Sequence, residues 1–348
     1  MAGTGKAHLR PLGTALLRID DLVVEFPVGR TGLKVNAVSG ISLDVMEGET
    51  VGLVGESGCG KSTTGKAIMQ IPPPTSGSVV LEGAELTKLH GEALRKIRPR
   101  MQMIFQDPIS SLNPRRKVVD IVSEPLSIWK IGTKEEQEKR VRAVLDTVGI
   151  DVDQAGTRKP HEFSGGQCQR ICIARAVVMD PKVIICDEPV SALDVSVQAQ
   201  ILNLLEDMKA QYGLTLIFIA HDLAVVKNVS DRVIVMYLGK ICEVAPPDAL
   251  YASPLHHYTK ALIDSIPEPD PTVRPDATDA LEGDLPSPVA PPSGCRFRTR
   301  CPMVQDRCAQ DEPQLVEAAP GHFVACHFPR EFVRAATSAT EPIAATHA

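Results

Sequence analysis

Gly55-Glu-Ser-Gly-Cys-Gly60-Lys61-Ser62-Thr63 is the stretch whose reading decides the fold. The apolar run Val51 to Val54 precedes it, and a helix-forming stretch, Thr63 to Met69, follows. Set between a strand and a helix, G-x-x-x-x-G-K-[S/T] is the pattern of a phosphate-binding loop. Its glycines let backbone N–H groups turn inward onto the β- and γ-phosphates, where the helix N-terminus adds its dipole. Lys61 is placed to neutralise phosphate charge, and the Ser62 hydroxyl to ligate Mg²⁺. Gly55, Glu56, Ser57, Gly58, Cys59, Gly60 and Thr63 complete the expected cradle. Cys59 reads as a variable side chain at a position read through its backbone, not as a reactive thiol.

Further along, Val183-Ile-Ile-Cys-Asp187-Glu188-Pro189 describes a buried strand that delivers two carboxylates at its carboxyl end. Ligands bind at such ends in α/β sheets. Asp187 can hold Mg²⁺, and Glu188 is then free to orient or deprotonate the water that attacks the γ-phosphate. Between the two motifs lies Phe163-Ser164-Gly165-Gly166-Gln167-Cys-Gln-Arg170, which opens an apolar-periodic helix. Ser164 is a good N-cap there, and the Gly-Gly pair exposes amides at the positive helix end.

The rest of the chain fits this frame. Short apolar runs at Met103 to Phe105, Leu216 to Ala220 and Arg232 to Tyr237 read as buried strands. They alternate with helical stretches at Thr133 to Val148, Gln167 to Met179 and Val197 to Gln211. That alternation implies an α/β fold with a mostly parallel sheet covered on both faces. Residues 266–292 carry eight prolines, which suits an extended linker. A small irregular module follows at 294–330, and the Ala/Thr-rich residues 331–348 read as a disordered tail. The chain has 348 residues and a net charge of −6, with 4% aromatic residues. That balance disfavours nucleic acid as a partner and excludes aromatic stacking platforms for single strands. No apolar run reaches the ~20 residues of a membrane span, and no signal-peptide core is present. A soluble, cytoplasmic protein is expected.

In order along the chain, these motifs resemble those of ATP-binding cassette (ABC) ATPases. Gln106 in Phe105-Gln106-Asp107-Pro108 matches the family's glutamine loop. Ser191-Ala192-Leu193-Asp194 matches the loop that crosses the dimer interface, and His221 in Ala220-His221-Asp222 matches the switch histidine. The resemblance spans residues 17–265. It implies a P-loop NTPase core with an antiparallel β subdomain and an inserted helical subdomain at about 107–178. It also implies ATP and Mg²⁺ as cofactors, with Ser62, Gln106 and Asp187 on the metal. Two such domains dimerise head to tail in this family. Ser164, Gly165, Gly166, Gln167 and Asp194 would therefore reach ATP held by the partner, while His221 bridges the γ-phosphate and Glu188. Phe26 is the candidate for stacking on adenine. Phe163 replaces the family's usual leucine.

A finer resemblance is to the ATPase subunits of dipeptide and oligopeptide importers. Gln106-Asp-Pro-Ile-Ser-Ser-Leu-Asn-Pro114, Asp187 to Val195, Ser253 to Leu262 and Gly294 to Pro302 carry it. It implies a sister ATPase, two membrane permeases and an extracytoplasmic substrate-binding protein as partners, at the cytoplasmic face of the membrane. Importers of nickel, glutathione or oligosaccharides are the alternatives. A nucleic-acid ABC ATPase is disfavoured, because only about 100 residues separate Lys61 from Ser164, without heptads.

Cys295, Cys301, Cys308 and Cys326 crowd the end of the chain at spacings C-x5-C-x6-C-x17-C. A metal or cluster site is the first reading of such a group in a cytoplasmic chain. The spacing lacks the tight pairs of most zinc knuckles and suits a [4Fe–4S] cluster, as the resemblance also implies. Zinc is the alternative, with His322 or His327 replacing a cysteine, and four free thiols the plainer one. The module is expected to be structural and separate from the nucleotide site.

Overall fold

The computed structural model describes residues 5–266 and 283–332. The strands are β1 (Leu17–Pro27), β2 (Lys34–Val45), β3 (Thr50–Val54), β4 (Ser76–Leu81), β5 (Ala84–Glu85), β6 (Met101–Ile104), β7 (Val183–Asp187), β8 (Thr215–Ala220), β9 (Arg232–Tyr237), β10 (Lys240–Ala245), β11 (Val316–Ala319) and β12 (His322–Val324). The main sheet runs β11-β12-β10-β9-β3-β8-β7-β6, and β3, β6, β7, β8 and β9 are mutually parallel. Every residue of β3, β7, β8 and β9 is buried, so these strands read as continuous apolar runs with no alternation. A second, antiparallel sheet, β2-β1-β4-β5, packs beside it. A buried ion cluster anchors the two together. Arg232, at the start of β9, donates to Asp44 at 2.9 Å and to Glu49 at 3.0 Å.

Helices fall where the apolar period places them. Thr133 caps the helix Lys134–Thr147 in a reciprocal box with Glu136. The helix Val195–Tyr212 ends at Gly213, whose left-handed backbone closes it. Five helices between Pro108 and Val177 fill the interval between β6 and β7, among them Gly165–Val177. Phe105, expected inside a strand, lies beyond β6 and is 40% exposed.

The cysteine region differs from expectation. It does not stand apart as an irregular module, because β12 pairs antiparallel with β10 and extends the core sheet. The core also takes in its apolar side chains, as Phe297, Leu315 and Val324 are all buried. The Pro-rich linker and the terminal tail lie partly outside the described residues, at 267–282 and 333–348. The described part of the linker is tied down: Asn36 donates its backbone N–H and its side-chain amide to Pro288 O, at 2.9 and 3.2 Å. Among the described residues, no helix is long and apolar enough to cross a membrane.

Candidate active site

Four parallel strands end at the same edge, and each releases one part of the site. After β3 the loop 55–60 turns into the helix Lys61–Ile68. Only glycine fits at position 60, where φ is +106° and a Cβ would lie 2.2 Å from Ala37 O. Lys61 Nζ is folded back onto the loop carbonyls, donating to Gly55 O at 2.7 Å and Glu56 O at 2.9 Å. Its ammonium is thus held where phosphate oxygens would replace carbonyls. Cys59 is buried, and burial pushes its thiol pKa up, which agrees with an unreactive loop side chain.

Asp187 closes β7, and Ser62 Oγ donates to its Oδ1 at 2.6 Å. Burial raises the Asp187 pKa, opposed by the Ser62 hydrogen bond and the nearby Lys66 charge. A hydroxyl beside a buried, poorly solvated carboxylate is a hard-oxygen pair that fits Mg²⁺. Glu188 follows with a positive φ of 47°. Gln106 Nε2, beyond β6, donates to Glu188 Oε2 at 3.0 Å. His221 Nδ1, beyond β8, stands 3.1 Å from the same oxygen. The three residues expected to handle the attacking water therefore meet at one carboxylate.

A cleft of about 590 Å³ joins these groups, lined by Phe26, Lys61, Ser62, Gln106, Glu188 and His221. Phe26 pairs with Val35 across β1 and β2, so the antiparallel sheet supplies the cleft's apolar wall. Ser164 to Gln167 do not line this cleft. Ser164 caps its helix by accepting from Gln167 N, and the Gln167 side chain accepts from Ser164 N. Asp194 likewise caps the helix that begins at Val195. A Cβ on Gly165 would lie 3.7 Å from Leu193, so the glycine pair and the Ser191–Asp194 turn sit side by side.

The four late cysteines converge. Cys295, Cys301, Cys308 and Cys326 all line one small cavity, together with His327. Among the described residues, no three His, Cys, Asp or Glu side chains stand at metal-binding separations. His322, considered as a substitute ligand, is engaged elsewhere: its Nε2 is 2.6 Å from the buried Glu243.

Two further residues reach the phosphate loop without any expectation from its motif. Tyr258 Oη accepts from Glu56 N at 2.8 Å, and Arg300 grips the Glu56 carboxylate with both terminal nitrogens. They lie in the stretches Ser253 to Leu262 and Gly294 to Pro302. Those stretches carry the finer resemblance, but no local pattern assigns them a contact.

Two family models match the chain. One, described as ABC transporter, covers residues 38–191, and the other, described as oligopeptide/dipeptide transporter, C-terminal region, covers 242–308. The oligopeptide transport ATP-binding protein OppF of Salmonella typhimurium is 50% identical over 321 residues, covering 89% of this chain and 95% of that protein. The putative oligopeptide transport ATP-binding protein YkfD of Bacillus subtilis is also 50% identical, over 317 residues, covering 90% and 96%. Among solved structures, a dimeric ATP-binding cassette in a post-hydrolysis state with ADP and phosphate matches with a TM-score of 0.60 and 29% identity. That match covers 66% of this chain and 98% of the other.

Proposed function

The chain belongs to the ABC transporter ATP-binding family, and from that premise we propose that it powers import of di- and oligopeptides as one of two paired ATPases. It is an ATPase of the cassette type. The observation that carries the mechanism is the meeting of Gln106, Glu188 and His221 beside the Ser62–Asp187 pair. Lys61 and the loop amides of Gly55 to Thr63 bind the phosphates, and Phe26 stacks on the base. Ser62, Asp187 and Gln106 would hold Mg²⁺, which would supply positive charge against the phosphate oxygens. Glu188 takes the proton of the attacking water, with His221 and Gln106 holding the carboxylate in register.

Ser164, Gly165, Gly166 and Gln167 start a helix away from the cleft, which suits amides offered to a neighbour's ATP. Head-to-tail pairing with a sister ATPase makes use of them, and Asp194 lies beside the same seam. The permeases have a place to seat. A groove of about 680 Å³ beside Gln106 is lined by Ile71, Met103, Phe105 and Pro125, and Ile109 is exposed nearby. Recognition of peptide then lies with an extracytoplasmic binding protein, and the chain works at the cytoplasmic face. Relatives identical at half of the aligned positions are oligopeptide transport ATP-binding proteins by name, which supports peptides over nickel, glutathione or oligosaccharides.

The four thiols line one cavity without standing at metal-binding separations; they are the soft donors an iron–sulfur cluster takes, and Cys295, Cys301, Cys308 and Cys326 would hold it once drawn together. Anaerobically purified protein is then brown, absorbs near ~400 nm and carries about four irons; a colourless preparation with one zinc overturns this assignment. For transport, the test is ATP turnover of the complex with both permeases, the sister ATPase and the binding protein, reconstituted in vesicles. Stimulation by a tripeptide is expected. Stimulation by nickel or glutathione alone would remove the peptide assignment.

A further inference from the structure

Glu56 is an acid inside an anion-binding loop. Left alone, its carboxylate would repel the triphosphate that the loop amides and Lys61 attract. Here the charge is answered from 244 residues away: Arg300 Nη1 and Nη2 meet Glu56 Oε2 and Oε1 at 2.7 and 3.0 Å, a bidentate pair. The Arg300 side chain is only 6% exposed. Its guanidinium lies 5.9 Å from the Tyr237 ring centroid, which fixes the fork's direction.

The same loop residue is held at its backbone. Glu56 N donates to Tyr258 Oη, and Glu56 O accepts from Lys61 Nζ at 2.9 Å. Tyr258 in turn packs in an aromatic cluster with Tyr237 and Phe297, at ring-centroid distances of 4.7 and 5.4 Å. Phe297 and Arg300 lie within the Cys295 to Cys301 stretch of the cysteine region. That region therefore reaches the phosphate loop by two routes, directly through Arg300 on the Glu56 carboxylate and indirectly through Phe297 packed on Tyr258.

We propose that Arg300 is a positioning residue for nucleotide binding, which neutralises Glu56 and pins the phosphate loop, so that docking of the cysteine region sets affinity for ATP. Arg300 acts through Glu56 and touches no reacting atom. Its effect falls on binding, because the loop shape and charge that it controls act on ATP before and during reaction alike. Coupling of this kind is reciprocal: bound nucleotide steadies the cysteine region as much as that region steadies the loop.

The test uses the full chain and MgATP, with the dissociation constant read by calorimetry and turnover read at saturating ATP. Arg300→Ala weakens MgATP about tenfold while turnover stays within about twofold. Adding Glu56→Gln to it removes the uncompensated charge and restores most of the affinity. A merely structural arginine would give no such rescue. Arg300→Lys, which keeps the charge without the fork, falls between wild type and Arg300→Ala, and carries the test if circular dichroism shows Arg300→Ala to be misfolded. Unchanged affinity in Arg300→Ala or Arg300→Lys, or failure of Glu56→Gln to restore it, overturns the proposal. None of these readings depends on the transported solute.

Discussion

At Glu188 two neighbours share one carboxylate oxygen, Gln106 at 3.0 Å and His221 at 3.1 Å. The carboxylate is a hub that both neighbours can turn, while the phosphates belong to Lys61 and the loop. Glu188→Gln keeps the hub's shape and removes its basicity. It is expected to slow hydrolysis by about 10²–10⁴-fold, with ATP still bound. Lys61→Ala loses the nucleotide itself. Turnover and retained nucleotide, measured on both variants, separate these roles, and near-normal turnover in Glu188→Gln would take the base role from Glu188. Asp187 allows a second prediction, with the opposite sign for stability. Its pKa is raised in the fold by burial, so the ionised form is held less well there than in the unfolded chain. This contribution favours the fold at acid pH and turns against it as pH rises through the carboxylate range. Asp187→Asn therefore raises the melting temperature of nucleotide-free protein at pH 7 and raises the Mg²⁺ concentration that hydrolysis requires. A lower melting temperature would show that the carboxylate's charge is well compensated without metal.

Among the elements, the strands that build the site were the easiest to read. Each is a short, fully buried and mostly apolar run, and for β3, β7, β8 and β9 the expected and observed ranges differ at the ends by no more than a residue. The edge strand β6 was shifted, because the apolar run Met103 to Phe105 continues past the point where the sheet ends. The site was legible for the same reason: Asp187 closes β7, Glu188 and His221 follow directly on β7 and β8, Gln106 comes two residues after β6, and Lys61 opens the helix after the loop that follows β3. Contacts that depend on two distant segments meeting were not legible. Nothing in Gly294 to Pro302 points to Glu56, and the two strands β11 and β12, of four and three residues, are too short to announce themselves. The signature helix tests what a local pattern can mean. Ser164 caps it through Gln167 N, so Ser164→Ala costs about 1 kcal/mol of stability from the cap alone. If it also offers its hydroxyl to a partner's ATP, the paired ATPases lose more than about tenfold in turnover, a loss beyond what the cap explains. A stability loss with unchanged turnover would reduce Ser164 to a cap.

For the molecule as a whole, the question is whether the cysteine region is an appendage or part of the cooperative core. β12 extends the main sheet from β10, and Glu243 on β10 accepts from Leu255 N at 2.7 Å and His256 N at 2.9 Å beside His322 Nε2. Phe297 is 2% exposed among Tyr237, Tyr258 and His256, rings that belong to the cassette. Emptying that position removes contacts from the core as well as from the tail. Phe297→Ala is therefore expected to cost about 3–5 kcal/mol. The chain's one tryptophan, Trp129, ends a helix between β6 and β7 and reports on the cassette. With one cooperative unit, the Trp129 fluorescence transition in urea shifts to lower denaturant in Phe297→Ala, together with the circular dichroism transition. An independent appendage would leave the Trp129 midpoint where it is and release only the tail. Coincident shifts would also explain how so short a region folds at all: the cassette supplies the core that it cannot build for itself.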